Sequence, residues 1–289
     1  MNSSVVVSPK QASIPKRHLN ERTKTIIIIC LALAFLSIIV IAGETMSPEA
    51  YAPDYSAKKL VPSAQHWFGT DYLGRDMFWR TVKGLHTSIL IGFLAATLSS
   101  VMALILGIVS ATAGGKIDKL VNWTVDLCMG VPHLVLLMLI SFMLGRGVTG
   151  VIVAVAVTHW PSLTRVLRAE VLQLRSAQYV ATAAKLGQSR WSIAWKHIVP
   201  HVFPQFLVGL ILLFPHAILH EAAITFLGYG LPLDMPAIGV ILSESMKHLA
   251  TGMWWLAFFP GLALLLTVIM FNTIGDKIKL LTNPFSAQQ

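Results

Sequence analysis

The chain has 289 residues, of which 55% are hydrophobic and only 12% charged, with a formal net charge of +9. A soluble globular domain carries about 25% charged residues, so this composition excludes a soluble enzyme and points to a protein that crosses a membrane several times. Its two cysteines, Cys30 and Cys128, both fall inside apolar runs, which offers neither a disulfide framework nor a zinc cluster.

In chain order, a polar and basic stretch over 1–24 precedes uncharged runs at 25–43, 87–115, 127–145, 147–164, 198–220 and 249–275. Each reaches or nears the ~20 residues that cross a ~30 Å hydrocarbon core as a helix. Lipid offers the backbone no other partners, so each run is predicted to be a helix. The expected fold is all-α with six transmembrane helices. The first run has 19 uncharged residues and no small-residue cleavage site after it, which predicts an anchor that stays in place. The stretch 222–233 is too short and glycine-rich for a seventh span.

Basic residues set orientation. With the N-terminus inside, inner segments hold fifteen of the 22 lysines and arginines, and outer segments hold seven. Both termini are therefore expected in the cytoplasm. The stretch 44–86 is then extracytoplasmic, 87–276 is a five-helix core, and 277–289 is a second cytoplasmic tail. This bias accounts for the net charge and calls for no nucleic acid.

Four places carry chemistry. The first outer segment holds His66-Trp-Phe-Gly-Thr-Asp-Tyr-Leu-Gly-Arg-Asp76, where glycines flanking Asp71 and Arg75 predict a tight hydrogen-bonded turn that seals a helix end. Asp126 is a charge in the third span, where it either faces the bundle interior or pairs with a neighbour near the inner end. An inner segment at about 170–200 runs Tyr179-Val-Ala-Thr-Ala-Ala-Lys-Leu-Gly187, then Trp191 to Lys196, and reaches Pro200 thirteen residues after the glycine. That pattern predicts a short helix, a bend at Gly187 and a second short helix, with Pro200 ending the loop and able to start the fifth span, since a helix's first turn tolerates proline. Its small residues let another protein pack closely. A basic loop resting on anionic lipid would use Lys185, Arg190 and Lys196 but leave the small residues unexplained.

The fifth span carries His216 and His220 at i and i+4, on one helix face. Two imidazoles at this spacing can hold a borderline divalent metal; they can equally serve packing or hydrogen bonding. Glu221 is adjacent, and His133 and His159 lie in other spans. His220-Glu221 opens a His-Glu-x-x-His zinc-protease pattern, but residue 224 is Ile, so the second ligand is missing. No Gly-x-x-x-x-Gly-Lys-Ser/Thr phosphate loop occurs, so the chain is not expected to bind ATP in that way. No inverted repeat points to a secondary transporter.

Taken together, Phe68-Gly-Thr-Asp71 with Gly74-Arg-Asp76, Asp126 six residues before Pro132, Phe226-Leu-Gly-Tyr-Gly230, Pro260-Gly261 and Phe271-Asn-Thr-Ile-Gly275-Asp276 resemble the second permease subunit of dipeptide, oligopeptide and nickel ABC importers. The resemblance covers about residues 60–276. It implies a type I ABC importer permease fold in a bacterial cytoplasmic membrane. The implied partners are a homologous second permease, two ATPase subunits and an extracytoplasmic solute-binding protein. ATP and magnesium would be used by the ATPases, with no cofactor bound by this chain. Ala181, Thr182, Ala183 and Gly187 fall at the family's Glu-Ala-Ala-x-x-x-Gly coupling positions, with Pro200 closing the loop. Gly69, Thr70, Asp71, Gly74, Arg75, Asp76 and Asp126 are its structural signature.

His216-Ala-Ile-Leu-His220 and His159-Trp160 look nickel-like. The expected cargo is therefore nickel or a metal-chelate (metallophore) complex, with dipeptides or oligopeptides as the alternative. His159, His216, His220 and Glu221 would line the translocation path, and His216 and His220 would be the metal ligands. Three departures stand out. Ala181 replaces the family's Glu, Asp234-Met-Pro-Ala237-Ile238-Gly239 replaces a Pro-x-x-Glu-Trp-Gly loop expected to meet the binding protein, and Lys277–Pro284 replaces Arg-Asp-x-Leu-Asp-Pro.

Overall fold

The computed structural model describes residues 21–282; the expectations for 1–20 and 283–289 lie outside them. Among the described residues the regular elements are helical, apart from an isolated bridge between Thr70 and Asp76. The apolar runs form α1 (Glu21–Thr45), α2 (Met77–Ala113), α3 (Gly115–Gly130), α4 (His133–Met143), α5 (Gly147–Arg175), α6 (Gln178–Lys185), α7 (Arg190–Ile193), α8 (Val199–Phe226), α9 (Ile238–Leu249) and α10 (Trp255–Thr282). Five helices are long and apolar enough to cross a membrane, and α3 with α4 makes a sixth pass if that bent pair is one span.

The third span, expected as one helix at 127–145, is a bent pair. The chain turns by 97° between α3 and α4. Pro132 disfavours helical geometry in the residue before it, and Val131 is extended at φ −92°, ψ 139°. Hydropathy runs unbroken through this point, but the backbone does not.

The core forms where α2 and α5 run side by side. Small residues let their backbones approach: Ala95, Ala96 and Ala103 on α2 and Ala154 on α5 have no exposed surface. A Cβ on Gly107 would sit 3.1 Å from Leu167 Cβ, and one on Gly92 would sit 2.6 Å from Ile218 Cγ1 on α8. The outer face is as apolar as the core, with Leu31, Ile38, Leu98, Ile105 and Leu265 exposed, as expected of a lipid-facing surface.

The two ends of the bundle differ. Arg175 at the end of α5 donates to the Ala111 carbonyl at the end of α2. At the opposite end, Gly147 at the start of α5 donates its N–H to Gly230, just past α8. Six passes return Thr282 to the end at which Glu21 begins. That end also carries α6 and α7, and the other carries the α1–α2 connection and α9.

Two boundaries depart from expectation. The second short helix of the 170–200 segment is not separate. Helix runs without a break from Arg190 to Phe226, through a π turn at Ala194–Ile198. Pro200 follows that π turn and starts α8, as expected of a residue that a helix's first turn tolerates; what differs is that no break separates it from α7. The run 249–275 is also split: α9 ends at Leu249, the chain turns at Gly252 with φ +84°, and α10 starts at Trp255. At 12 residues, α9 is too short to cross. It buries Ile238, Val240 and Ile241 completely.

Candidate functional site

A cavity of about 730 Å³ opens where α3 breaks from α4, against α5 and α8. Pro132 sits at the break, while Pro161 lies inside α5 and Pro215 inside α8, both of which run on as helix; each of these two lacks the N–H for one helical hydrogen bond. Non-helical backbone at membrane depth is tolerated where protein buries it or a cavity solvates it. The walls include Met129, Ser162, Val166, Leu213 and Gly209, with His133, His159, His216 and His220 as their main polar groups. Gly209 shapes the floor, since a Cβ there would fall 2.3 Å from Leu163 Cδ1.

The histidines converge across helices. Ring centroids lie 4.6 Å apart for His133–His159 and for His133–His220, and 5.0 Å apart for His159–His220. One nitrogen of each ring lies within 4.8 Å of the others. His216, one turn before His220, lines the cavity but is not one of the three. The histidines that converge are thus drawn from α4, α5 and α8, whereas the pair expected from spacing lies on α8 alone. His133 was visible in the sequence, but nothing local marked it as the third member.

Glu221 does not line the cavity. It has no exposed surface and accepts a hydrogen bond from Thr225 Oγ1 at 2.9 Å. Its Oε2 has no hydrogen-bond partner among the described residues. Successive helical residues are ~100° apart, so the face that turns His220 toward the cavity turns Glu221 toward α2.

At the α1–α2 end, the Gly69–Asp76 turn closes on itself. Asp71 Oδ1 accepts from the backbone N–H of Leu73 at 2.8 Å and of Arg75 at 3.0 Å. Its Oδ2 accepts from Arg75 Nε at 2.6 Å and Arg80 Nη1 at 3.3 Å. Both arginines also reach Glu244 Oε2 on α9, at 3.0 Å and 2.5 Å. Two acids and two bases thus form a neutral buried network joining the turn, α2 and α9. Burial opposes the charge on Arg75, but Asp71 and Glu244 outweigh it and hold its pKa above the ordinary arginine value. Asp76 caps α2 through Phe78 and Trp79 N–H groups at 2.9 Å and 3.2 Å and meets His66 Nδ1 at 2.8 Å. Thr70 Oγ1 donates to the Ala57 carbonyl at 2.5 Å. Gly74 is required: its φ is +81°, and a Cβ would lie 1.7 Å from the Asp54 carbonyl oxygen. Arg80 in the first turn of α2 and Glu244 in the middle of α9, neither singled out from the sequence, complete this network.

At the opposite end, α6 and α7 form an exposed elbow. Gly187 bends it at φ +84°, with nothing within 4 Å of an added Cβ. Ser189 caps α7 by accepting from the Ser192 N–H at 3.2 Å. Ala183 is buried, whereas Ala181 and Thr182 are exposed. Leu186 and Trp195 are 77% and 71% exposed, with Tyr179 and Trp191 also exposed. Beside the elbow, Arg168 makes a two-pronged ion pair with Asp118, both contacts 2.6 Å, and Ser110 and Asn122 donate to the same carboxylate. Asp126 pairs with Arg165, and both are exposed. Of the two readings left open for Asp126, the one that pairs it with a neighbour matches this geometry.

Residues 103–284 match the family model described as binding-protein-dependent transport system inner membrane component. The chain belongs to this family. The permease is 33% identical over 248 residues to the dipeptide transport system permease protein DppC of Bacillus subtilis (strain 168), covering 86% of this chain and 78% of that one. It is 36% identical over 256 residues to the oligopeptide transport system permease protein OppC of the same organism, covering 86% and 84%. The probable D,D-dipeptide transport system permease protein DdpC of Escherichia coli (strain K12) is 34% identical over 233 residues, covering 81% and 78%. Among solved structures, an inward-facing form of the MetNI methionine ABC transporter superposes with a TM-score of 0.58 at 17% identity, covering 72% of this chain and 98% of that one. The permease therefore has the type I ABC importer fold.

Ala237 and Ile238, which stand where the family has Glu-Trp, have no exposed surface. A Cβ on Gly84 of α2 would meet Ala237 at 3.3 Å, whereas Leu233 and Asp234 of the same loop are exposed.

Proposed function

We propose that this permease forms half of the translocation path of an ATP-driven importer for short peptides or peptide-like solutes. The observation that carries this reading is the cavity between the α3–α4 break, α5 and α8. It combines apolar walls with a few imidazole and hydroxyl groups, which suits a small solute having both characters. Relatives named for dipeptide and oligopeptide transport, matching most of the chain, support the cargo class. Nickel, the cargo expected from the histidine pattern, becomes the second reading: import of nickel or a metal chelate. The observation favouring it is the imidazole content of the same cavity.

Coupling runs through the exposed elbow. In this reading Leu186, Trp191 and Trp195 seat the α6–α7 elbow on an ATPase subunit, with Ala181 and Thr182 allowing close approach. The ATPases bind ATP and magnesium. Because α7 continues as α8, a push on the elbow acts on a single rod that ends at His216 and His220. This is a rigid-body transfer between two global states. Ala181 in place of Glu removes a charge from that contact, leaving apolar packing as its main component. The excess of lysine and arginine near α6–α7 and at both chain ends supports an orientation with the elbow and termini in the cytoplasm. A homologous second permease completes the path, and an extracytoplasmic binding protein meets the opposite face.

The test is uptake in cells with and without the gene. Deletion is expected to abolish accumulation of a labelled dipeptide, competed by unlabelled dipeptide and not by nickel with excess histidine. Loss of nickel uptake with dipeptide uptake intact would overturn the peptide reading in favour of the second.

A further inference from the structure

The convergence of His133, His159 and His220 has a feature that ring packing does not explain. His159 is only 7% exposed, yet its Nε2 has no hydrogen-bond partner among the described residues, and neither has His133 Nε2. Buried polar atoms are ordinarily paired. His159 Nδ1 lies 2.9 Å from the Val155 carbonyl oxygen. That oxygen can only accept, and Thr158 Oγ1, 3.1 Å from the same nitrogen, donates to the Ala154 carbonyl at 2.9 Å; Nδ1 therefore carries the proton, and Nε2 is the lone-pair nitrogen of a ring packed against the other two imidazoles. A histidine that donates one ring N–H to a backbone carbonyl while its second nitrogen faces other histidines has the outer-shell arrangement of a metal ligand.

We infer that His133, His159 and His220 form a three-nitrogen site for a divalent transition-metal ion of borderline softness, of the nickel or zinc kind, with a further coordination position open to the cavity. Three imidazoles and no carboxylate select against magnesium and calcium, which take oxygen ligands. Nitrogens at about 2.1 Å from one tetrahedral ion lie about 3.4 Å apart. The loosest pair, within 4.8 Å, then closes by at most about 1.4 Å, within the reach of ring rotation. Glu221 takes no part, being buried outside the cavity lining and bonded to Thr225, and His216 is one turn away. The ligands belong to α4, α5 and α8, so a bound ion ties together the three elements that surround the cavity. The site is defined by protein nitrogens alone and does not depend on which cargo the importer carries.

The test is metal binding by the assembled importer, purified without a polyhistidine tag and placed in lipid nanodiscs. In equilibrium dialysis against nickel or zinc chloride, the wild type is expected to bind one more ion per permease chain than the His133→Ala/His159→Ala/His220→Ala variant. Magnesium should show no difference. His159→Ala alone should weaken binding at least about tenfold. Copper(II) paramagnetic resonance gives a second readout: nitrogen hyperfine splitting in the wild type, diminished in His220→Gln, a single change that keeps the test available if the triple variant does not assemble. Equal nickel and zinc stoichiometry and unchanged copper spectra across wild type and variants would overturn the site. Binding is read without transport, so this outcome leaves the cargo proposal standing.

Discussion

Gly187→Arg is expected to leave the permease inserted and folded while reducing ATP-dependent uptake at least about tenfold, within the 1–3 kcal/mol typical of coupling between sites. The elbow has room for the side chain within the monomer, because nothing lies within 4 Å of a Cβ at this position. The backbone is left-handed at φ +84°, so a side chain costs about 1–2 kcal/mol of strain. That strain falls on an exposed turn and leaves the core untouched. What changes is the surface: a long charged side chain would stand beside Leu186 and Trp191, where the proposed ATPase contact is apolar. Gly187→Ala separates the two effects, since it keeps the strain without the bulk or charge. Copurification of the ATPases with each variant, together with uptake, makes the check. If Gly187→Arg retained its ATPases and transported normally, the elbow would not be the coupling element.

Asp71→Ala is expected to destabilise the folded permease by about 3–5 kcal/mol, the effect of removing one partner from a buried ion pair. The Asp71 side chain is 2% exposed and the Arg80 side chain 5%. Without the carboxylate, Arg75 and Arg80 share Glu244 alone, leaving a net positive charge under α9. The Leu73 and Arg75 backbone N–H groups lose their acceptor as well. Asp71→Asn/Arg80→Met should recover part of the loss, because it removes one cation and retains an acceptor in the turn. Thermal unfolding followed by tryptophan fluorescence in detergent would read both. An Asp71→Ala midpoint equal to wild type would mean that the network does not hold the α1–α2 turn to α9.

The membrane passes were legible because twenty-residue apolar windows report composition, and composition is what lipid selects. Backbone breaks were less legible. Pro132 announced the end of α3, but the leucines and isoleucines on either side kept the window apolar. Helix α9 was hidden because Glu244 and Lys247 interrupt its apolar character, while its buried face uses only Ile238, Val240, Ile241 and Ser245. The π turn before Pro200 leaves no mark in residue type.

At the cavity, local spacing placed His216 and His220 on one helical face, and both do line it. Spacing along a single helix could not show that His133 and His159 approach from α4 and α5, since that proximity depends on the 97° bend. Neighbourhood in sequence misled for Glu221, which is adjacent to His220 yet faces α2. The Gly69–Asp76 turn was readable because its glycines and acids act locally. Its long-range partner, Glu244, lies 169 residues from Arg75 and was not.

The most direct measurement is ATP-driven uptake of a labelled dipeptide into proteoliposomes holding this permease, its partner permease and their ATPases, with the binding protein supplied outside. It should be run beside Ser162→Trp, which fills the cavity from an exposed position on its wall. The wild type should accumulate dipeptide only with ATP. Ser162→Trp should lose at least about tenfold of that rate, about 1.4 kcal/mol, while its ATPases stay bound and hydrolyse ATP. Dipeptide uptake that is equal in the two proteins, or absent in the wild type with all partners present, would contradict the assignment of this cavity as a peptide path.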